Sequence, residues 1–445
     1  MPQSWPRRAR GLAAGVFVAS LLAATGCSGP AAVSPSATTS VRPSASMSTA
    51  TPMPSAAPLP DPDKLKARLD QISRTGIGVS GVVVVDPVSG VTLFSRGDKA
   101  LVPASSLKVL TAVAALDVMG AGRRFTTRVV TAKPGSLVLV GGGDPLLTDK
   151  QSKSAAKPAS LQALAAATVS SLKSAGTKRV SLGYDASLFT GPGWNSRWKA
   201  SWRTFNPQVT ALMNNRGQIN QWQAYPNPAA TTAKAFAARL AKAGITVTAV
   251  KATQAPQGAT TVAETASAPL ATIIEHTLRY SDNVAAEAIA RQLALASGKA
   301  GSFAGARQAV QEWLAAHGLW AKGTVIDDGS GLSTANRVRP SALAGAIRLA
   351  LTIPALKSVA DGLPVAGKNG TLKDRFDDPS EKPGRGVVHA KTGTLQRISS
   401  LTGYLTTADG ATLVFSAIAN NTAGQTTSYN WLDRTAAALA RCGCG

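Results

Sequence analysis

Three short motifs in a fixed order carry chemistry along this chain: Ser105-Ser106-Leu107-Lys108, Ser281-Asp282-Asn283 and Lys391-Thr392-Gly393. Together they offer a nucleophile, a nearby amine base, a hydroxyl proton relay and a cationic anchor for a carboxylate. That set suits acyl transfer by a serine that works without a His–Asp pair. A Lys amine deprotonates a Ser only where burial or a neighbouring cation lowers its pKa, and Lys391 is the candidate cation. Ser105 follows Pro103 at the expected start of a helix, so Lys108, three residues on, shares its face. The helix N-terminus would also present backbone N–H groups to a developing oxyanion.

Each motif alone is weak. Ser-x-x-Lys recurs at Ser170 and Ser196, and about two matches are expected by chance in such a composition. Context separates them: Ser105 follows a strand hairpin and opens an apolar helix, Ser170 ends an amphipathic helix at the surface, and Ser196 lies in a Trp-rich loop. Ser281-Asp282-Asn283 falls between helical stretches at 270–279 and 284–295, where it also reads as a turn or N-cap. Ser428-Tyr429-Asn430 begins the last helix and reads as a cap. Lys391-Thr392-Gly393-Thr394 occurs once, on a strand that directs Lys391 and Gly393 to one side and Thr392 and Thr394 to the other. Gly393 lets another backbone approach closely. Read alone, this motif is a polar edge strand. The chain has three histidines, His276, His317 and His389. His389 lies two residues before Lys391, which leaves a His-based triad open. No Gly-x-Ser-x-Gly elbow or His-Glu-x-x-His helix is present.

Periodicity places elements around these motifs. A helix is expected at 63–73, with Leu65, Leu69 and Ile72 on one face. Strands at 79–85 and 91–95 flank turn residues 86–90, and the helix of Ser105 extends to about Met119. Strands at 387–394, 399–406 and 411–419 and a helix at 427–441 mirror this at the far end. The expectation is an α+β, multi-domain chain. One five-stranded antiparallel sheet, closed by both ends of the chain, would be flanked by the Ser105 and Ser281 helices. Between them, 123–266 alternates strands (128–131, 137–140, 246–250) with Ala-rich helices (161–172, 232–243), an inserted α/β region of one or two domains. The expected divisions are therefore 1–27, 28–60, 61–122, 123–266, 267–441 and a tail at 442–445.

The chain's 445 residues are enough for such a core, and 44% of them are hydrophobic. Arg7, Arg8 and Arg10 precede an apolar run at 11–24, too short to span a bilayer but suited to a secretory signal. The Arg7-Arg8 pair also fits twin-arginine export. Ala24-Thr25-Gly26-Cys27 resembles a bacterial lipobox in which Cys27 carries the lipid, with Ala24 in the usual Leu position. Residues 28–60 are rich in Ser, Thr, Pro and Ala, a composition that tethers rather than folds. Cys442 and Cys444 form no Cys-x-x-Cys pair, so zinc or redox chemistry is not indicated. They are read as a mobile tail with two thiols, or a tight local bridge. The net charge of +24 is spread along a chain with only 5% aromatics. In an exported protein this favours an anionic cell envelope as partner over nucleic acid.

With the motifs placed, the chain resembles the penicillin-recognising serine acyl-transferases, with their β-lactamase/transpeptidase-like domain. The long separation of Ser281 from Ser105 is similar to that in the D-alanyl-D-alanine carboxypeptidase/endopeptidase family, the class C low-molecular-mass penicillin-binding proteins. Gly142-Gly143-Asp144-Pro145, Asp185-Ala186-Ser187-Leu188-Phe189, Pro192-Gly193-Trp194, Asn227-Pro228 and the stretch 328–333 extend the resemblance over about residues 62–440. The resemblance implies that Ser105 attacks the penultimate D-Ala carbonyl of a peptidoglycan stem peptide, with Lys108 as base. Ser281 would relay the proton to the leaving amine, Asn283 would hold the substrate amide, and Lys391 would attract the terminal carboxylate beside Thr392 and Thr394. The N–H groups of Ser105 and Thr394 would form the oxyanion hole. Asp185, Leu395 and Gln396 match positions that recognise the diaminopimelate side chain, whereas Thr334 stands where an Arg is usual, with Arg337 close by. A substrate with an amidated side-chain carboxylate would fit that change. No metal or organic cofactor is implied, and β-lactams are the implied inhibitors. A β-lactamase and a catalytically silent wall-binding lipoprotein are the alternatives. The long insert and the lack of a suitable deacylating Glu count against the first, and the complete motifs against the second.

Overall fold

Val82-Val83-Val84-Val85 is a β-branched run without a polar face, as a strand covered on both sides requires. A computed structural model describes residues 57–444 apart from 153, 155, 156, 205 and 221. The apolar N-terminal run, Cys27 and the linker as far as residue 56 lie outside the described residues. The chain enters through α1 (Pro62–Asp70), shorter at its C-terminal end than the apolar spacing predicts. Asp61 caps it by accepting from the amides of Asp63 and Lys64, and Leu65 and Leu69 are buried. Strands β1 (Val79–Val85) and β2 (Thr92–Arg96) form the expected hairpin. Asp86 secures its turn by accepting from the amides of Val88 and Ser89. A 3-10 turn (Ala104–Leu107) then leads into α2 (Lys108–Met119), whose first nine residues are all buried.

The inserted region builds its own sheet. In order come β3 (Thr126–Lys133), β4 (Ser136–Val140), α3 (Leu161–Ser174), β5 (Arg179–Asp185), the short pair β6 (Gln218–Asn220) and β7 (Gln223–Ala224), α4 (Pro228–Lys242), β8 (Thr246–Ala252) and β9 (Thr260–Ala266). The sheet order is β8-β5-β4-β3-β9. β4, β5 and β8 run parallel because α3 and α4 supply the crossovers, while β3 pairs antiparallel with β4 and β9. Leu164 and Leu172 of α3 and Phe236 and Leu240 of α4 cover Leu139 and Leu182 of the sheet.

The chain returns through α5 (Leu270–Arg279), α6 (Asn283–Ala296), α7 (Phe303–Ala316), α8 (Pro340–Thr352) and α9 (Lys357–Gly362). It then adds β10 (Val388–Leu395), β11 (Ile398–Thr406), β12 (Thr412–Asn420) and α10 (Gln425–Ala440). The order β10-β11-β12-β1-β2 is antiparallel throughout. β1 pairs with β12 from Val79↔Asn420 to Val85↔Val414, so strands from both ends of the chain close one sheet, as expected. Val83 and Val85 face a core with Leu110 and Val113 of α2 and Ile347 of α8. Val82 and Val84 face Leu65 of α1 and Trp431 and Leu432 of α10. The period-2 alternation of β1 thus feeds two separate cores.

The tail is packed, not mobile. Cys442 and Cys444 are joined by a disulfide and buried against the core of α1 and α10. Asp61 N donates to Cys444 O at 2.9 Å, which ties the tail to the start of the body. The expected local bridge is present; burial of both sulfurs removes the mobility.

Candidate active site

Ser105 lies in the 3-10 turn, partly exposed, while its neighbours Ala104 and Ser106 are buried. Three residues per turn place side chains at i and i+3 directly over one another. Ser105 therefore stacks on Lys108 more closely than the α-helical start expected from the sequence would allow. Lys108 Nζ donates to Ser105 Oγ at 2.9 Å, to Asn283 Oδ1 at 2.7 Å and to the Ser330 carbonyl at 2.7 Å. An ammonium has three N–H donors, and all three are used. Two of the three sequence motifs thus meet on one nitrogen, 175 residues apart in the chain.

The third motif closes the site from the side. The pairing of β10 with β11 is regular from Val388 to Leu395, so Lys391 and Gly393 face one way, as their spacing predicts. A Cβ on Gly393 would lie 2.6 Å from the Pro103 carbonyl oxygen and 3.0 Å from Ser105 N, and would meet Ser400 Oγ. Only a glycine lets β10 come this close to the nucleophile's turn. Ser400 Oγ donates to Pro103 O at 2.6 Å and pairs with Ser106 Oγ at 2.8 Å, which locks turn to sheet. Lys391 is fully buried, and its Nζ donates to Thr392 O at 2.7 Å. On the other side of β10, Thr392 Oγ1 pairs with Thr371 Oγ1 and Thr394 Oγ1 with the Tyr429 hydroxyl, both at 2.7 Å.

Burial lowers the Lys108 amine strongly. Asp328, Glu287 and Asp282 act in the opposite direction, and the result is a pKa of about 8. Burial also pushes the Lys391 amine well below its ordinary range, and the positive charge of Lys108 adds to the effect. Asp282 caps α6 by accepting from Ala285 N at 3.0 Å. Its burial alone would raise the carboxyl. The His276 hydrogen bond, Arg216 at 3.1 Å and that amide instead hold it far below the usual carboxylate range. Ser281 precedes this cap in the left-handed region, with φ 56°. Such a conformation in a residue with a Cβ is sparsely populated and clusters at functional sites.

Sequence reasoning missed the residues beneath the site. Glu287 is fully buried and accepts from Gly329 N and Ser330 N. Asp328 accepts from four donors, among them Trp198 Nε1. Asp328-Gly329-Ser330-Gly331 stood out only as a resemblance. For Glu287 the signal in the sequence is its spacing, one helical turn after Asn283 on the inward face.

The side-chain residues spread differently. Asp185 ends β5, and its two oxygens accept from Ser187 N and Ala255 N at 2.8 Å, so it caps its own loop. Leu395 packs against the cluster of Trp198, Phe303 and Leu332. Gln396 Oε1 accepts from Lys199 Nζ at 3.1 Å. Thr334 is exposed, and Arg337 turns its guanidinium back onto the carbonyls of Thr334 and Asn336. Ser170 and Ser196 are both exposed. His276 bonds Asp282, His317 bonds the Trp313 carbonyl, and His389 stacks on Tyr404 with centroids 4.7 Å apart. A His-based triad on Ser105 therefore gains no geometric support.

The contact of β10 with the turn is testable. Gly393→Ala should cost about 1–3 kcal/mol through overpacking and slow acylation of Ser105 by on the order of tenfold or more. Thermal melting and a timed reaction with a serine-directed acylating agent check this, and an unchanged rate would show that the turn does not depend on β10.

The family model for D-Ala-D-Ala carboxypeptidase 3 (S13) matches residues 63–224 and 218–441. A carboxypeptidase of Mycobacterium tuberculosis is 36% identical over 378 residues, 81% of this chain and 80% of the relative. Carboxypeptidase DacB of Mycolicibacterium smegmatis is 34% identical over 392 residues, 84% of this chain and 83% of the relative. Penicillin binding protein 4 of Haemophilus influenzae has the same fold, with a TM-score of 0.70 at 22% identity, covering 84% of this chain and 98% of that structure. Motif order, sheet topology and these matches agree: the chain belongs to the D-Ala-D-Ala carboxypeptidase 3 (S13) family.

Proposed function

We infer that this protein is an exported serine D-Ala-D-Ala carboxypeptidase that trims peptidoglycan stem peptides through an acyl-enzyme on Ser105. The observation that carries this is the Lys108 amine held between Ser105 Oγ and Asn283 Oδ1. Neutral Lys108 takes the Ser105 proton as Oγ bonds to the penultimate D-Ala carbonyl carbon. The N–H groups of Ser105 and Thr394 stabilise the oxyanion. The C–N bond then breaks, and terminal D-Ala leaves as an amine protonated through Ser281. Asn283 holds the substrate amide, Lys391 attracts the terminal carboxylate, and water hydrolyses the ester. The same steps on a peptide cross-link give endopeptidase action. A β-lactam presents an equivalent acyl group in a strained ring, with its leaving amine tethered. The family match and relatives named as carboxypeptidases support this reading.

Mass spectrometry after incubation with benzylpenicillin should show a persistent adduct on Ser105 that a Ser105→Ala variant lacks. A rapidly lost adduct would point to a β-lactamase. No adduct on intact folded protein would point to a silent wall-binding protein. D-Ala release from a pentapeptide and cleavage of a cross-linked dimer separate the two peptidase activities.

The reaction needs an uncharged Lys108, so its acid limb follows that amine. With a pKa of about 8, acylation should rise with pH through about 8 and then level. A Lys108→Arg variant, charged at every working pH, should lose the reaction. A rate flat between about pH 6 and about pH 9 would exclude Lys108 as the base.

Export and anchoring are proposed from the basic and apolar N-terminus, Cys27 and the net charge of +24. Cell fractionation distinguishes the modes. Lipid anchoring predicts membrane partition that Cys27→Ser abolishes, and Coulombic attraction to the envelope predicts release by salt. Wall retention independent of salt would count against the charge, and a cytoplasmic pool against both.

A further inference from the structure

The loop after α7 reaches Lys108 and the backbone just before Ser105. Asp328, 1% exposed, organises it. Its Oδ1 accepts from Gly331 N and Asn336 Nδ2, both at 2.8 Å; its Oδ2 accepts from Ser333 N at 2.7 Å and Trp198 Nε1 at 2.8 Å. Three of these donors belong to the loop, and the fourth comes from the insert. Glu287 of α6 holds the same loop by accepting from Gly329 N at 3.0 Å and Ser330 N at 2.8 Å. The loop carries the Ser330 carbonyl to Lys108 Nζ. At Gly331 (φ 83°) it lies against Ala104, whose carbonyl oxygen a Cβ there would meet. Ala104 immediately precedes the nucleophile and is itself left-handed, with φ 47°.

Trp198 is clamped in place. Its ring meets Trp194 and Phe303 edge-on, with centroids 5.3 and 5.5 Å apart. Beside it, Asn195 Nδ2 donates to Asp327 O and Oδ2 at 3.1 Å. Arg291 of α6, 1% exposed, donates to Pro192 O at 2.9 Å. The segment 190–198 is thereby fixed against α6 and the loop. A buried indole N–H needs an acceptor, and here the acceptor is a carboxylate two residues before the carbonyl that accepts from the Lys108 amine.

We propose that Trp198 and Asp328 are positioning residues for acyl transfer at Ser105, through which the inserted region sets the placement of Lys108. This rests on Ser105 as nucleophile and Lys108 as base. Lys108 faces Asp328, Glu287 and Asp282, with Lys391 as the like charge. Asp327, next in the chain to Asp328, is paired with Arg307 and Arg197. Arg291 acts on Glu287. Of the acids facing Lys108, Asp328 has the largest effect in holding a proton there. Burial already pushes the Asp328 carboxyl up. Losing the indole donor would favour its protonated form. Lys108 would then give up its proton at lower pH, while the loosened loop would present Ser330 O less well. Slower acylation and an acid limb moved to lower pH are the joint signature.

The test is acylation by benzylpenicillin as a function of pH, per folded molecule. It compares the wild-type chain, Trp198→Phe, and a chain carrying benzothienylalanine at position 198, whose sulfur replaces the N–H while keeping the ring shape. Both altered chains should react about tenfold more slowly at their maximum, the size expected when a buried charge loses a hydrogen bond, with the midpoint displaced downward. The benzothienyl chain preserves packing if Trp198→Phe does not fold. A wild-type rate per folded molecule, or a slower rate with an unmoved midpoint, overturns the proposal. A wild-type chain that is not acylated, matching a Ser105→Ala control, instead removes the nucleophile and this proposal with it.

Discussion

The buried amine of Lys108 is the constraint on which the architecture of the candidate site depends. An ammonium removed from water is strongly destabilising unless its donors are met. Here three acceptors meet it, and each comes from a different place: the turn before α2, the first residue of α6 and the loop after α7. Burial lowers its pKa toward a useful base, while the acids beneath keep the shift moderate. A fully apolar surround would make the amine neutral but leave it unoriented. A solvated one would leave it charged.

That balance requires close backbone packing around the amine. Gly393 admits β10 to the turn of Ser105, and Gly331 admits the loop after α7 to the carbonyl of Ala104. The two glycines therefore press on the nucleophile from opposite supports, and the left-handed Ala104 between them is held by both contacts. Ser400 and Ser106 add hydrogen bonds that tie the turn to the sheet. The sheet gives this arrangement rigidity: β1 pairs with β12, and β12 with β11, the neighbour of the strand that carries Lys391, so both ends of the folded body are built into one sheet.

Much of this was legible in the sequence because the signals were local. The hairpin of β1 and β2 announced itself by a β-branched run and a turn rich in Asp, Pro and Gly. The alternation in Lys391-Thr392-Gly393-Thr394 correctly separated the residues facing the nucleophile from those facing Thr371 and Tyr429. Less legible were groups whose roles depend on distant partners. Asp185 matched a substrate-contacting position by resemblance, and only the fold shows that each of its oxygens also accepts from a backbone amide, Ser187 N and Ala255 N. Cys442 and Cys444 could be read as a mobile tail or a local bridge, and nothing local reveals that the bridged pair packs against the core of α1 and α10.

By itself the sequence determined the residue types of the candidate site, their order, the strands and helices that carry them, and the insertion between the first two motifs. These follow from side-chain chemistry and from the 2.0 and 3.6 periodicities, which act over a few residues. Tertiary structure alone decided that Lys108 would be buried, which acids would surround it, that Glu287 and Asp328 would share one loop, and that an indole from the insert would reach Asp328. Desolvation and hydrogen-bond geometry depend on groups brought together from more than a hundred residues away, and no window of sequence contains them.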